Sequence, residues 1–201
     1  MNPYPFRPSV WLRMLVLGAC LALGACDKPR EQFQDIDITG ADFARDFKLT
    51  DTTGKQRTLA DYRGRVVVLF FGYTQCPDFC PTTMSDLATV MNELGADAAR
   101  VQVLFVTLDP ARDTPKVLSA YVPGFDPRFM GLYGTEQETA DAAREFKVFY
   151  QKVDGPTPTS YSLDHTAQSY VFDTKGKVRL VIPNAQKPAA IEHDIKLLLG
   201  S

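Results

Sequence analysis

The chain has 201 residues, enough for one domain with a substantial core plus short extensions. Its composition, 45% hydrophobic and 23% charged with no long charge run, is ordinary for a soluble globular protein. A formal net charge of −2 removes any electrostatic reason to expect nucleic acid as a partner.

The N-terminal segment differs from the rest. Arg7 and Arg13 form a positive start, and Met14 to Ala25 then carries no charge and is rich in Leu, Val and Ala. That stretch has the length of a signal-peptide core and is too short to span a bilayer as a helix. It ends in Leu23-Gly24-Ala25-Cys26, which resembles a bacterial lipoprotein signal, where the cysteine is lipidated and becomes the new N-terminus. A second Leu-Gly-Ala-Cys run ends at Cys20, but cleavage there leaves too short an apolar stretch after Arg13, so Cys26 is the expected lipidation site. Asp27 follows it; in enteric bacteria an aspartate there retains lipoproteins in the inner membrane, and sorting rules differ between bacteria. Residues 1–25 thus read as a signal peptide, 26–45 as a polar tether with a short strand near Ile36 and Ile38, and 46–201 as one domain. Of the four cysteines, only Cys76 and Cys80 then remain as thiols, in a compartment that permits disulfides.

Within the domain, "FKLTDTTGKQRTL" predicts a hairpin turning at Asp51 to Gly54. The apolar run 65–73 predicts a central strand buried on both faces. Met84, Leu87, Met91 and Leu94 repeat at helical spacing, and Gly95 ends that helix. A second buried strand is predicted over 101–108, and a short helix from Pro115 to Tyr121. Thr135 and Glu138 form a capping-box pattern for a helix reaching Phe146. "KVFYQKV" alternates as an exposed strand does. Residues 154–166 read as a long polar loop, a hairpin follows over "AQSYVFDTKGKVRLVI", and Pro188 opens a final helix carrying Ile191, Ile195 and Leu198 on one face. This order predicts an α/β domain: a mixed central sheet flanked by helices, with an extra N-terminal hairpin and a long inserted loop. With a cysteine pair between the first buried strand and its helix, it resembles a thioredoxin-like fold.

The pair lies in "TQCPDFCP". Cys80 falls at a helix start, where unpaired backbone N–H groups and the helix dipole favour a thiolate. Pro81 suits the first helical turn and Pro77 stiffens the loop. Asp78 is a neighbouring carboxylate able to accept a backbone hydrogen bond or raise a thiol pKa. A purely structural disulfide would close too short a loop to stabilise much. Three intervening residues, Pro77, Asp78 and Phe79, suit holding a metal between the sulfurs as well as forming a disulfide. The spacing alone does not decide, because a metal site needs a further ligand.

Of the two histidines, His193 lies between Glu192 and Asp194 in the final amphipathic helix and reads as a solvated position. His165 lies in the long loop just before a strand. In a thioredoxin-like topology that loop enters the sheet beside the cysteine rim, so its imidazole could reach the thiolates. Two thiolates and an imidazole are too few protein ligands for structural zinc. Soft donors in an incomplete shell favour copper, Cu(I) above all.

"GYTQCPDFCPTTM", "VTLDPARDTP" and "YSLDHT", in that order, resemble the Sco (SenC-like) family, named for synthesis of cytochrome c oxidase. The resemblance runs over roughly residues 45–199. It implies a thioredoxin-like fold binding Cu(I) or Cu(II) through Cys76, Cys80 and His165. It implies a copper metallochaperone for the dinuclear copper centre of cytochrome c oxidase, with a thiol–disulfide reductase acting on the oxidase copper-site cysteines as the alternative; a copper or redox sensor is a third reading. The implied partners are the oxidase copper-centre subunit, other copper chaperones and thioredoxin-like reductants. With the lipid anchor, the expected location is the periplasmic face of the bacterial inner membrane. Gln75 stands where many relatives have histidine, so an auxiliary nitrogen donor is absent. Asp109, Arg112 and Asp113 are expected to pin the loop after the second strand through a carboxylate–guanidinium pair, with partner docking as the alternative, and Asp164 to orient the His165 ring as an acceptor.

Overall fold

In a computed structural model of the chain, described over residues 32–157 and 160–200, the strands are β1 (Ile36–Asp37), β2 (Leu49–Asp51), β3 (Gln56–Arg57), β4 (Val66–Gly72), β5 (Val101–Thr107), β6 (Met130–Tyr133), β7 (Tyr150–Asp154), β8 (Tyr161–His165), β9 (Ser169–Phe172) and β10 (Val178–Ile182). The α-helices are α1 (Phe79–Glu93), α2 (Pro115–Tyr121), α3 (Glu136–Glu145) and α4 (Pro188–Leu199). The signal segment 1–25, the lipidation candidate Cys26 and the start of the tether lie outside the described residues, among which no helix is long and apolar enough to cross a membrane.

Among the described residues, β1-β10-β9-β4-β5-β6-β2-β3 form one mixed sheet. The two apolar runs lie at its middle because every residue of β4 and β5 is buried, so neither could face solvent. They pair in parallel in register, Val66 opposite Val101 through Gly72 opposite Thr107, joined by α1. The predicted first hairpin is β2–β3, which extends the sheet at the β6 edge. Helix α1 buries Met84, Leu87, Val90 and Met91, while α4 buries Ile191, Ile195 and Leu198 and packs beside it. Phe70, Phe71, Phe105, Phe146, Tyr170 and Phe172 fill the core. The capping box of α3 is as predicted: Glu138 N–H donates to Thr135 Oγ1 at 3.2 Å, and Thr135 N–H to Glu138 Oε2 at 2.8 Å.

Three features depart from the sequence reading. Strand β6 was not anticipated; it is short, and Gly131 breaks its apolar pattern. A side chain there would come within 3.2 Å of Leu118 and 3.3 Å of Val122, so glycine is what lets α2 lie close on β6. Residues 154–166 are not loop throughout. Their second half is β8, which pairs with β7 in a separate two-stranded sheet, Tyr150 opposite His165. Its polar composition reflects an exposed hairpin that buries little besides Leu163. Finally, the segment read as a tether, 26–45, packs with the domain from Phe33 onward, and the short strand expected near Ile36 and Ile38 is β1. The backbone N–H groups of Gln34 and Asp35 donate to the buried Asp194 carboxylate at 2.8 to 3.0 Å, β1 pairs with β10, and Ala44 is fully buried.

Candidate metal centre

The carboxyl end of central strand β4 delivers the cysteine loop, and helix α1 begins at its far side. Gly72 closes the strand because the Cys80 sulfur occupies the space a side chain would need. A Cβ at residue 72 would sit 2.9 Å from Cys80 Sγ and 3.0 Å from the rings of Phe70 and Phe105. A glycine in a run of valine and phenylalanine is the sequence signal of such a close approach. Asp78 is the residue before α1, yet its side chain makes no capping bond. Instead the backbone N–H of Cys80 points at Cys76 Sγ at 3.5 Å. The helix-end donor expected to serve Cys80 therefore serves Cys76. Cys80 itself is fully buried, and burial pushes its thiol pKa up, opposite to the expected effect, with a hydrogen bond to Cys76 adding to the rise. Both cysteines are free thiols, Cys76 the more accessible.

Strand β8 brings the third group. Cys80 Sγ lies 3.6 Å from His165 Nε2, and the two sulfurs and a ring nitrogen of His165 all fall within 4.8 Å of one another. Among the described residues this is the one cluster of its kind. The histidine does not use Asp164 as its orienting acceptor. Adjacent strand residues face opposite sides, Asp164 is exposed, and His165 Nδ1 contacts the Thr166 carbonyl at 3.0 Å. A carbonyl only accepts, so Nδ1 carries the proton and the Nε2 lone pair faces the sulfurs. Tyr73 and Phe70 wall the imidazole edge-on, with centroids at 5.9 and 6.3 Å. Burial lowers the His165 pKa, an effect that the Thr166 bond and the Asp164 charge only oppose, so the ring is neutral at pH 7. A cleft of about 300 Å³ opens at Cys76 and His165, lined also by Tyr73, Pro77, Phe79 and Leu163, with the buried Cys80 outside its lining. Phe79 is half exposed at its edge. Two sulfurs and an unprotonated imidazole nitrogen at one cleft can hold a soft metal ion or, without metal, run thiol–disulfide exchange.

The loop after β5 ties these parts together, as its expected pinning role requires. Asp113 accepts from Thr74 N–H at 3.0 Å, Thr74 Oγ1 at 2.5 Å and Thr107 Oγ1 at 2.6 Å, fixing the start of the cysteine loop. Asp109 accepts from Arg112 and, at 2.8 Å, from the Tyr161 hydroxyl at the start of β8. The link to Tyr161 was not legible from sequence, since 52 positions separate the partners. The Tyr121 hydroxyl is buried without a hydrogen-bond partner. His193 is partly exposed on α4, close to its expected solvated position.

The SCO1/SenC family model matches residues 37–200. The chain is a member of the SCO1/SenC family. A SCO2-like protein of Rickettsia felis is 35% identical to it over 170 residues, covering 84% of this chain and 83% of the relative. The structure of Bradyrhizobium japonicum ScoI with copper bound is similar to it with a TM-score of 0.71 at 36% identity, covering 77% of this chain and 98% of that one. Solution structures of apo Sco1 from Thermus thermophilus are similar with a TM-score of 0.76 at 36% identity, covering 86% and 100%. The thioredoxin-like fold predicted from the order of elements is the fold of this family member.

Proposed function

We propose that this Sco-family protein is a copper metallochaperone that serves assembly of the dinuclear copper centre of cytochrome c oxidase, with copper as its cargo. The observation that carries the reading is the convergence of Cys76, Cys80 and His165 donor atoms within 4.8 Å, in a chain similar to a ScoI whose structure holds copper. Two thiolates and a neutral imidazole suit Cu(I), and the same donors accept Cu(II). Three protein donors beside an open cleft let an acceptor's thiolate enter before the donor's ligands leave, so copper passes by ligand exchange without free ion. The recipient is the oxidase copper-centre subunit; other copper chaperones supply the ion, and thioredoxin-like reductants keep the pair reduced. Lipid on Cys26 holds the protein at the periplasmic face of the bacterial inner membrane.

A second reading is favoured by one observation. Cys76 is an accessible free thiol with a helix-end N–H on its sulfur, and Cys80 is buried behind it. In a reductase, Cys76 attacks a partner disulfide and Cys80 resolves the mixed disulfide. The pair gives up two electrons and two protons and becomes a disulfide, and the partner gains two thiols. Because the disulfide consumes both sulfur donors, copper loading and oxidation of the pair exclude one another.

The deciding experiment uses the full chain purified in detergent. Wild type is expected to bind one copper per chain with a sulfur-to-Cu(II) absorption band, lost in Cys76→Ser and in Cys80→Ser. His165→Ala is expected to lose copper while keeping thiol–disulfide exchange, and cells carrying it to fail in oxidase assembly. Normal oxidase assembly with copper binding abolished would reject the chaperone in favour of the reductase.

A further inference from the structure

Hairpin β7–β8 carries His165 but belongs to no larger sheet. A lone two-stranded hairpin is marginal in water, and this one buries little apart from Leu163. Its seat over the cysteine loop therefore depends on side chains from elsewhere, and one cation touches both segments. Arg112 donates from Nε to Asp109. Its Nη1 donates to the Tyr161 carbonyl at 2.8 Å and to Gln75 Oε1 at 3.2 Å. Its guanidinium carbon lies 3.4 Å from the Tyr161 ring centroid and 5.8 Å from that of Tyr73. Tyr161 returns a hydroxyl bond to Asp109. Tyr161 opens the strand that His165 closes, and Gln75 directly precedes Cys76.

We propose that Arg112 is a positioning residue for copper handling: it latches the β7–β8 hairpin onto the cysteine loop, so that His165 faces Cys80 while the latch is closed and leaves the thiol pair when it opens. The proposal rests on the copper reading above. The latch demands a guanidinium, since planar stacking on Tyr161 and a fork of donors to three acceptors are beyond an ammonium. It is also set to open at modest cost. Its Nη2 is buried without an acceptor, so closure leaves one donor unsatisfied. Opening withdraws the imidazole from Cys80 and the Arg112 bond from Gln75, but not the anchor of the cysteine loop. Asp113, which anchors the cysteine loop through Thr74, is held by Thr107 and needs nothing from Arg112. The latch thus separates the two chemistries of the site: it governs copper retention, while the Asp113 anchor keeps the two cysteines in place.

The test uses the full chain in detergent, loaded with Cu(I), and reads the rate of copper transfer to a chromogenic cuprous chelator. The reduction potential of the Cys76–Cys80 pair, from equilibration with glutathione, is read beside it. Arg112→Gln is expected to release copper about tenfold faster, the loss of a stacked, hydrogen-bonded cation, with the potential unchanged. Arg112→Lys is expected not to rescue retention. Tyr161→Phe keeps the ring under the guanidinium and deletes the bond to Asp109, so it moves release in the same direction by a smaller factor. Arg45→Gln, which breaks an exposed ion pair with Glu145, leaves both readouts as in wild type. Release from Arg112→Gln at the wild-type rate overturns the proposal, and so does a potential that shifts along with release. Should Arg112→Gln not fold, Tyr161→Phe decides, and wild-type release from it overturns the latch. A wild type that takes up no copper overturns the copper reading instead, so the two failures are distinct.

Discussion

Cys80 Sγ and His165 Nε2 stand 3.6 Å apart although 85 positions separate them in the chain. No local rule joins them. One sits in the first turn of a helix after the central strand, the other at the end of a hairpin outside the main sheet. Their meeting is made by the loop after β5, which grips the cysteine loop through Asp113 and the hairpin through Asp109 and Arg112.

Gly72 sets the depth of the Cys80 sulfur. Gly72→Ala places a methyl 2.9 Å from that sulfur, between two phenylalanine rings that cannot retreat. The expected outcome is a destabilisation of about 1–3 kcal/mol together with weaker copper retention, because the sulfur is pushed from its seat. Guanidinium denaturation and chelator competition on the same samples check both.

Asp113 is the anchor of the cysteine loop. Asp113→Ala strips the acceptor from one backbone N–H and two hydroxyls in a buried setting, and a loss of about 2–3 kcal/mol is expected. Asp113→Asn retains an acceptor oxygen and should lose less. Hydrogen exchange at Thr74 should speed up in the alanine variant more than in the asparagine one.

The N-terminal strap carries a pH dependence. Burial raises the Asp35 pKa from 3.8 to about 6, with the neighbouring Asp194 carboxylate adding to the rise and the Gln186 side-chain bond opposing it. Between those values the folded chain holds a proton that the unfolded chain has lost. Stability therefore falls as pH rises from 3.8 to about 6 and levels off above that. Asp35→Asn should remove this contribution to the slope. Urea unfolding of both forms at stepped pH from 4 to 7 measures it.

Thr135 caps α3 far from the cysteine pair. Thr135→Ala should cost about 1 kcal/mol and leave copper stoichiometry unchanged. A calorimetric melt and a copper assay decide; a change in stoichiometry would mean that α3 is coupled to the site, contrary to the contacts described.

Much of this molecule was legible in its residues. Val66–Gly72 is apolar throughout and Val101–Thr107 is apolar but for Gln102 and Thr107, so burial on both faces, and with it a central place in the sheet, followed from composition. Helical spacing of Met84, Leu87 and Met91, the Thr135–Glu138 cap and the placement of Cys76 and Cys80 between strand and helix are likewise local, and local rules read them. What escaped was set by distant groups. Strand β8 is polar because its hairpin buries so little, and a polar strand has the same composition as a loop. The roles expected of Asp78 and Asp164 followed from neighbourhood in sequence, but capping and ring orientation depend on direction. Cys76 Sγ and the Thr166 carbonyl point the right way, and those carboxylates do not. The rise in the Cys80 thiol pKa belongs to the same class, since desolvation depends on what lies around a sulfur and not on its position along a helix. The primary structure thus determined which groups carry the chemistry and which segments build the sheet, because side-chain type and short-range periodicity are properties of the chain. Tertiary structure alone decided which donor serves which acceptor, because hydrogen bonds and burial depend on direction and distance between segments that the chain brings together only on folding.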